Sequence, residues 1–497
     1  MRTIKQILLL GSTLLILTGL PGCKKFLDKS PQGEMTQESF PTTAADALLA
    51  TNATYATLRD WYYHSGGYPI LDIMSDDARK GSNPSDQLST VGPYDTFTIT
   101  PTQDGLDRWW TQLYVGVKRC NVVTEKVPLI TMDAALQTRY IAEARFIRGL
   151  IYFDFVRAWG GVPLVTTLEP PIQLPRSSKE EIYNQVISDL TYAAANLPEQ
   201  SEYVNGDKGR ATKGAANAFL ARVYLFMHDF VNAEKYAMEV INSGQYSLEP
   251  VFTDANGVKG INGPEAIFEV GALPYESYES GGDQYGNTQG VRGTPNRGWG
   301  FNRPTIDLRT SFETGDPRYK GTVINLGDTL DGVVILGDGP TPDVTKDSTG
   351  KIIEIECYNR KVWTPGNNTA TQWSHMRRLM RYADVLLMAA EAMNENQKMT
   401  QALVYVNQVR ARARQGNSSI LPDITTTDQA LLRDKIFDER RHELAMEGWR
   451  FWDLVRTGRA GAVMGPLGFV VGKNELLPIP QSQIDNSGGT LVQNPNW

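Results

Sequence analysis

The chain has 497 residues, 41% of them apolar, which is enough for a large core and for one to three domains. A formal charge of -7 without any basic run excludes a surface built for nucleic acid. Three cysteines over this length exclude a disulfide scaffold.

Residues 1–22 read as a signal peptide. Arg2 and Lys5 make a short positive region, and Ile7 to Leu17 is apolar but shorter than the about 20 residues a spanning helix needs. Leu20-Pro21-Gly22-Cys23 follows at once. It resembles a bacterial lipoprotein box, departing from it at Pro21. The expectation is an acylated Cys23, a polar tether over 23–35, and a single domain over 36–497. No later run is apolar enough to cross a bilayer. Only Cys120 and Cys357 then remain, either as free thiols or as one disulfide.

Thr36 to Tyr63 is predicted helical, with Ala47, Leu48, Ala50, Ala53, Tyr55 and Leu58 among its apolar positions. From His64 to Thr102 the periodicity fails. Gly105 to Val127 is helical again, and Trp109 and Trp110 on it read as core. Asp133 is placed to cap a long helix that Gly160-Gly161-Val162-Pro163 stops after Trp159. Ser177 or Ser178 caps the next, through Leu197.

Gly209 to Tyr246 is the organising unit. Ala216, Leu220, Val223, Tyr224 and Met227 fall on one helix side, His228-Asp229-Phe230 breaks the pattern, and Ala233, Tyr236, Ala237, Val240 and Ile241 restart it. Two such helices form a hairpin resembling a tetratricopeptide unit, whose repeat is about 34 residues. One hairpin cannot bury its own apolar face, so others should stack on it. Pro250 to His375 differs in kind: it is rich in Gly, Pro, Asn, Asp and aromatics, with strand signals at Ala266–Val270 and Ile352–Cys357. Helices return at 377–396, 400–414 and 428–457. The fold class is therefore mainly all-α: about four helical-hairpin pairs over 36–249 and 376–460, carrying an irregular, loop-rich lobe over 250–375.

Several blocks together resemble the SusD/RagB family of outer-membrane nutrient-binding lipoproteins. They are Ile141 to Phe146 with Arg157 to Pro163, Ala218 to Tyr224 with Ala233 to Tyr246, Arg381 to Leu387 with Glu391-Ala392, and Asp438 to Leu454. Leu477 to Pro480 and Gln493 to Pro495 close the pattern. The resemblance implies four tetratricopeptide-like pairs with a variable lobe. It also implies partners: an oligosaccharide ligand, the outer membrane as lipid anchor, and a SusC-like TonB-dependent transporter barrel. No cofactor is expected; a structural calcium ion is left open.

Catalytic motifs fail one by one. His442-Glu443-Leu444-Ala445 lacks the second histidine of a zinc-protease helix, since position 446 is Met446. The histidines at 64, 228, 375 and 442 have no metal spacing, and no Gly-x-Ser-x-Gly elbow occurs. Gly298-Trp299-Gly300 lacks the context of a dinucleotide loop. Glu439, Glu443 and Glu447 line one helix side, but Arg440, Arg441 and Arg450 lie beside them. Nearby cations oppose the raised pKa of a catalytic acid, so structural ion pairs are expected there, and likewise for Glu143 and Arg145.

The positive signal is aromatic side chains in irregular polar segments. Sugar C–H faces stack on aromatic rings, while polar side chains pair with hydroxyls. One such segment carries Trp61, Tyr62, Tyr68 and Asp76. A second carries Tyr275, Tyr278, Tyr285, Arg292, Asn296 and Trp299. Trp363, Asn367, Asn368 and Trp373 form a weaker third. The sequence thus predicts a non-catalytic oligosaccharide receptor. The alternatives are a peptide receptor or a glycoside hydrolase within the lobe, the latter needing two carboxylates about 5 to 9.5 Å apart across a cleft.

Overall fold

The computed structural model describes residues 40–64, 71–272, 284–365 and 375–497. Cys23, Tyr68, Tyr275, Tyr278, Asn367, Asn368 and Trp373 lie outside them. The scaffold is a run of long helices: α1 Ala44–Leu58, α2 Asp104–Lys126, α3 Ala134–Trp159, α4 Lys179–Asn196, α5 Lys213–Phe226, α6 Phe230–Asn242, α7 Tyr382–Glu395, α8 Met399–Ala413 and α9 Gln429–Leu444. Each of the first eight packs on the next, giving four hairpin pairs in a stack, and α9 packs on α7 and α8. Among the described residues no helix is long and apolar enough to cross a membrane.

Local chemistry starts these helices. Thr43 and Ser178 each close a capping box, with Asp46 and Glu181. Asp133, Thr212, Asp229 and Asp428 accept from backbone N–H groups in the first turn. The α5–α6 hairpin turns at His228, whose φ is +59°. Tyr224 and Tyr236 stack across it with centroids 5.5 Å apart. Phe219 instead leaves the hairpin and meets Phe146 on α3 and Phe268 of the lobe.

The lobe is built on two-stranded antiparallel ladders. β1 Ala78–Gly81 pairs with β3 Phe301–Pro304, and β2 Ala266–Val270 pairs with β10 Arg377–Arg381. β4 Val323–Asn325 pairs with β9 Cys357–Asn359, β5 Thr329–Leu330 with β6 Val333–Val334, and β7 Val344–Lys346 with β8 Ile352–Ile355. The β1–β3 ladder draws the 71–100 segment onto the lobe. Ile267, Phe268, Val270, Tyr285 and Phe301 join the scaffold core directly.

Two predicted helices are corrected. Residues 377–381 form a strand, because their arginines are drawn to buried carboxylates: Arg378 pairs with Glu269, and Arg381 with Glu265. The 428–457 helix breaks after Leu444. Met446 and Gly448 take φ of +65° and +83°, and Asp72 accepts from the N–H groups of Gly448 at 2.8 Å and Arg450 at 3.4 Å. A short helix, Arg450–Arg456, follows.

The expected ion pairs form, with other partners than the neighbouring arginines. Glu439 binds Arg318 and Arg410; Glu443 binds Arg381, Arg412 and Arg318; Glu447 binds Arg381 and Lys361. Arg440 turns instead to Asp384 and Asp453, and Arg441 to Asp76 and Asp77. Glu143 pairs with Arg139 and Arg210, and Arg145 with Asp189. Trp109 and Trp110 are buried, as expected of core. Cys120 and Cys357 are both free and buried.

Candidate functional site

A short helix, Trp61–His64, follows α1, and Asp60 accepts from the backbone N–H of Tyr62 in its first turn. Successive helical residues point about 100° apart, so the three aromatics diverge. Tyr63 turns inward and donates its hydroxyl to Asp154 at 2.8 Å. Trp61 and Tyr62 stay half-exposed. The Arg108 guanidinium, from α2, lies over the Tyr62 ring at 4.9 Å.

Trp299 arrives from the lobe. Its N–H donates to the carbonyl of Asn287 at 2.9 Å, and that of Gly300 donates to Gly290 at 3.0 Å, folding the loop onto the helix Gln284–Gln289. Gly298 sits where the two backbones meet: a Cβ there would lie 2.5 Å from both the Asn287 oxygen and the Gly290 Cα. Gly300, at φ +74°, completes the turn, and its carbonyl accepts from Ser82 beyond β1. The half-exposed Trp299 ring thereby meets Trp61, with centroids 5.4 Å apart and planes tilted by 54°. Two segments distant in sequence so contribute to one aromatic face.

The other predicted residues divide. Asn296 is exposed on the same loop. Arg292 is half-buried and already engaged: it donates to Ser82 and Asp86 on one side and Asp338 on the other, tying the two segments together. Asp76 is already engaged. It is buried, and its carboxylate takes Arg450 at 2.8 and 2.9 Å and Arg441 at 2.9 Å. Burial works against that charge, but the two arginines outweigh it and hold the carboxyl below its usual range. Tyr285 is buried too, stacked on His375 at 6.2 Å with Arg377 over its ring at 4.5 Å. Both serve packing. Sequence reasoning missed Arg108, which nothing marked out because only the crossing of α2 brings it to Tyr62.

No group of three or more His, Cys, Asp or Glu among the described residues is arranged to hold a metal ion. His442 stacks on Phe312 and faces the Ser311 hydroxyl at 3.2 Å.

Comparison with known proteins places the chain. Residues 264–497 match the profile of the SusD family, and residues 25–225 match one described as "Starch-binding associating with outer membrane". SusD-like protein P38 of Formosa agariphila is 30% identical, over 94% of either chain. The chain belongs to the SusD/RagB family. SusD-like protein P2 of the same organism is 28% identical over 97% of this chain and 98% of its own. Among solved structures, a laminarin-binding SusD-like protein superposes with TM-score 0.76 at 27% identity, covering 92% of this chain and all of that one. Surface glycan-binding protein A from Bacteroides thetaiotaomicron, in complex with laminarihexaose, gives TM-score 0.77 at 26% identity, covering 91% and 100%. The tetratricopeptide-like scaffold of this SusD-like chain is shared with them, and SusD-like proteins are binding proteins, not catalysts.

Proposed function

We propose that this SusD-like protein is a cell-surface receptor that captures an oligosaccharide without transforming it. Trp61, Tyr62 and Trp299 form its platform, and Asn296, exposed on the loop that carries Trp299, is available to pair with hydroxyls. Tyr68, Tyr275 and Tyr278 belong to the same two sequence segments and remain part of the expected surface. The acylated Cys23 holds the receptor at the outer membrane, where it delivers the glycan to a TonB-dependent transporter barrel.

The observation that carries this reading is the meeting of the half-exposed Trp61 and Trp299 rings. Partly exposed aromatic rings of that kind offer apolar area to sugar C–H groups, at little cost in side-chain entropy. The laminarin and laminarihexaose named for similar proteins support a glycan as ligand. The hydrolase alternative has little to stand on in the glutamate row, because Glu439, Glu443 and Glu447 are each locked by buried cations.

The test is a panel of plant, host and microbial polysaccharides, with binding and released sugar measured together. Binding to one class without product supports the receptor reading. Product release contradicts it in favour of an enzyme. Retention of peptides with no glycan bound moves the ligand to the peptide class.

A further inference from the structure

The third aromatic segment leads to a second place in the lobe. The β5–β6 hairpin turns through Asp331-Gly332, with φ of +52° and +76°, the two positive values of a type I′ turn. This turn sets the Asp331 carboxylate to accept from the Trp363 indole N–H at 2.7 Å. Trp363 packs on a small cluster of Val291, Ile324, Leu330, Ile335 and Tyr358, and the Arg297 guanidinium lies over its ring at 4.2 Å. Trp363 and Asp331 border a cleft of about 360 Å³, whose walls also include Arg360 and the 252–259 segment with Asp254 and Lys259. That volume falls in the range of small-ligand pockets.

Arg360 is the cation of this cleft that is open to a ligand. It is half-buried, yet among the described residues its guanidinium makes no hydrogen bond or ion pair. Burial lowers its pKa, while Asp328 and Asp331 nearby act to raise it. Its donors reach the solvent of the cleft and are open to a ligand bearing hydroxyls. The cleft is balanced in charge. Asp254 and Asp331 offset Lys259 and Arg360, while Lys361 is already taken by Glu447. That balance favours a neutral ligand over an anion.

We propose that this cleft is a second carbohydrate subsite for a neutral sugar ring. Neighbouring hydroxyls of the sugar would donate to Asp331 and accept from Arg360, with a C–H face of the ring against Trp363. The cleft shares no residue with the Trp61–Trp299 face, so the inference stands apart from the function proposed for that face.

The test combines crystals soaked in turn with glucose, galactose, mannose, xylose and inorganic sulfate with solution titrations of the same compounds. Arg360→Ala is the variant, since no described contact depends on that side chain. The expected result is a sugar in the cleft touching Arg360 and Asp331, and binding weakened about tenfold by Arg360→Ala, as suits the loss of a charge-assisted hydrogen bond. Water alone in every soak overturns the inference. So does sulfate alone on Arg360, or sugar binding that Arg360→Ala leaves unchanged. The polysaccharide panel reads the Trp61–Trp299 face independently, so an occupied cleft without glycan binding in the panel would contradict only the proposed function, and glycan binding with an empty cleft only this inference.

Discussion

Trp61 and Trp299 lie with ring centroids 5.4 Å apart, one carried by the turn after α1 and the other by a loop of the lobe. Gly298 decides where the second ring sits. A Cβ at 298 would meet two backbone atoms at 2.5 Å, and backbone cannot move aside as a side chain can. Gly298→Ala should lower stability by about 1–3 kcal/mol and weaken glycan binding as the loop shifts. Thermal unfolding and a glycan titration measure both. Unchanged values would show that the close approach is not what holds the loop.

Arg381 is the hub that joins the lobe to the scaffold. It donates to Glu265 at 2.7 Å, Glu443 at 2.6 Å and Glu447 at 2.9 Å, all of them buried. Removing the cation leaves three buried carboxylates to share only Arg412, Arg318 and Lys361. Arg381→Met should cost about 3–5 kcal/mol in urea unfolding, as expected for one partner lost from a buried ionic group. Adding Glu443→Gln should cost less than the sum of the two single changes, because it removes one of the carboxylates left in excess of their cations. Strict additivity would argue against a connected network.

These two cases also show what the sequence makes legible. Helix starts are local: Asp133, Ser178 and Thr212 find their N–H partners within three residues, so periodicity and capping residues suffice to place them. The strand at 377–381 and the break after Leu444 are decided by Glu265, Glu269 and Asp72, far away in the chain. No local pattern carries that information. The site follows the same division. Trp61 and Trp299 were visible as aromatics in irregular polar segments, but their meeting was not. The loss of Asp76 to Arg450 and Arg441, and of Tyr285 to His375, depends on crossings that only the fold supplies.

Asp72 makes stability depend on pH. Its carboxyl is fully buried and faces repulsion from Asp77, which together raise its pKa to about 7 against the help of the Gly448 and Arg450 N–H groups. An unfolded aspartate ionises near about 4, so between about pH 4 and 7 the folded state holds a proton that the unfolded state has lost. This group's contribution is therefore present at low pH and lost as pH rises through that window. Asp72→Asn, which cannot ionise, should flatten the fall. Chemical denaturation of both proteins at several pH values checks it, and identical slopes would contradict the assignment.

Cys120 and Cys357 should be silent in the native protein. Burial is the main reason both thiols are pushed up to about 12, so little thiolate forms near neutrality. A chain lacking Cys23 should give no reaction with a thiol reagent when native, and should label at both positions in denaturant. Rapid native labelling would contradict their burial.

The most direct measurement is a double-mutant cycle on whichever glycan the panel selects. Trp61→Ala, Trp299→Ala and the double variant would be titrated beside the parent protein. The account predicts that either single change costs about 2 kcal/mol, roughly thirtyfold in affinity, and that the double costs clearly less than the sum because the two rings form one platform. Glycan binding undiminished in the double variant would contradict the platform at its centre.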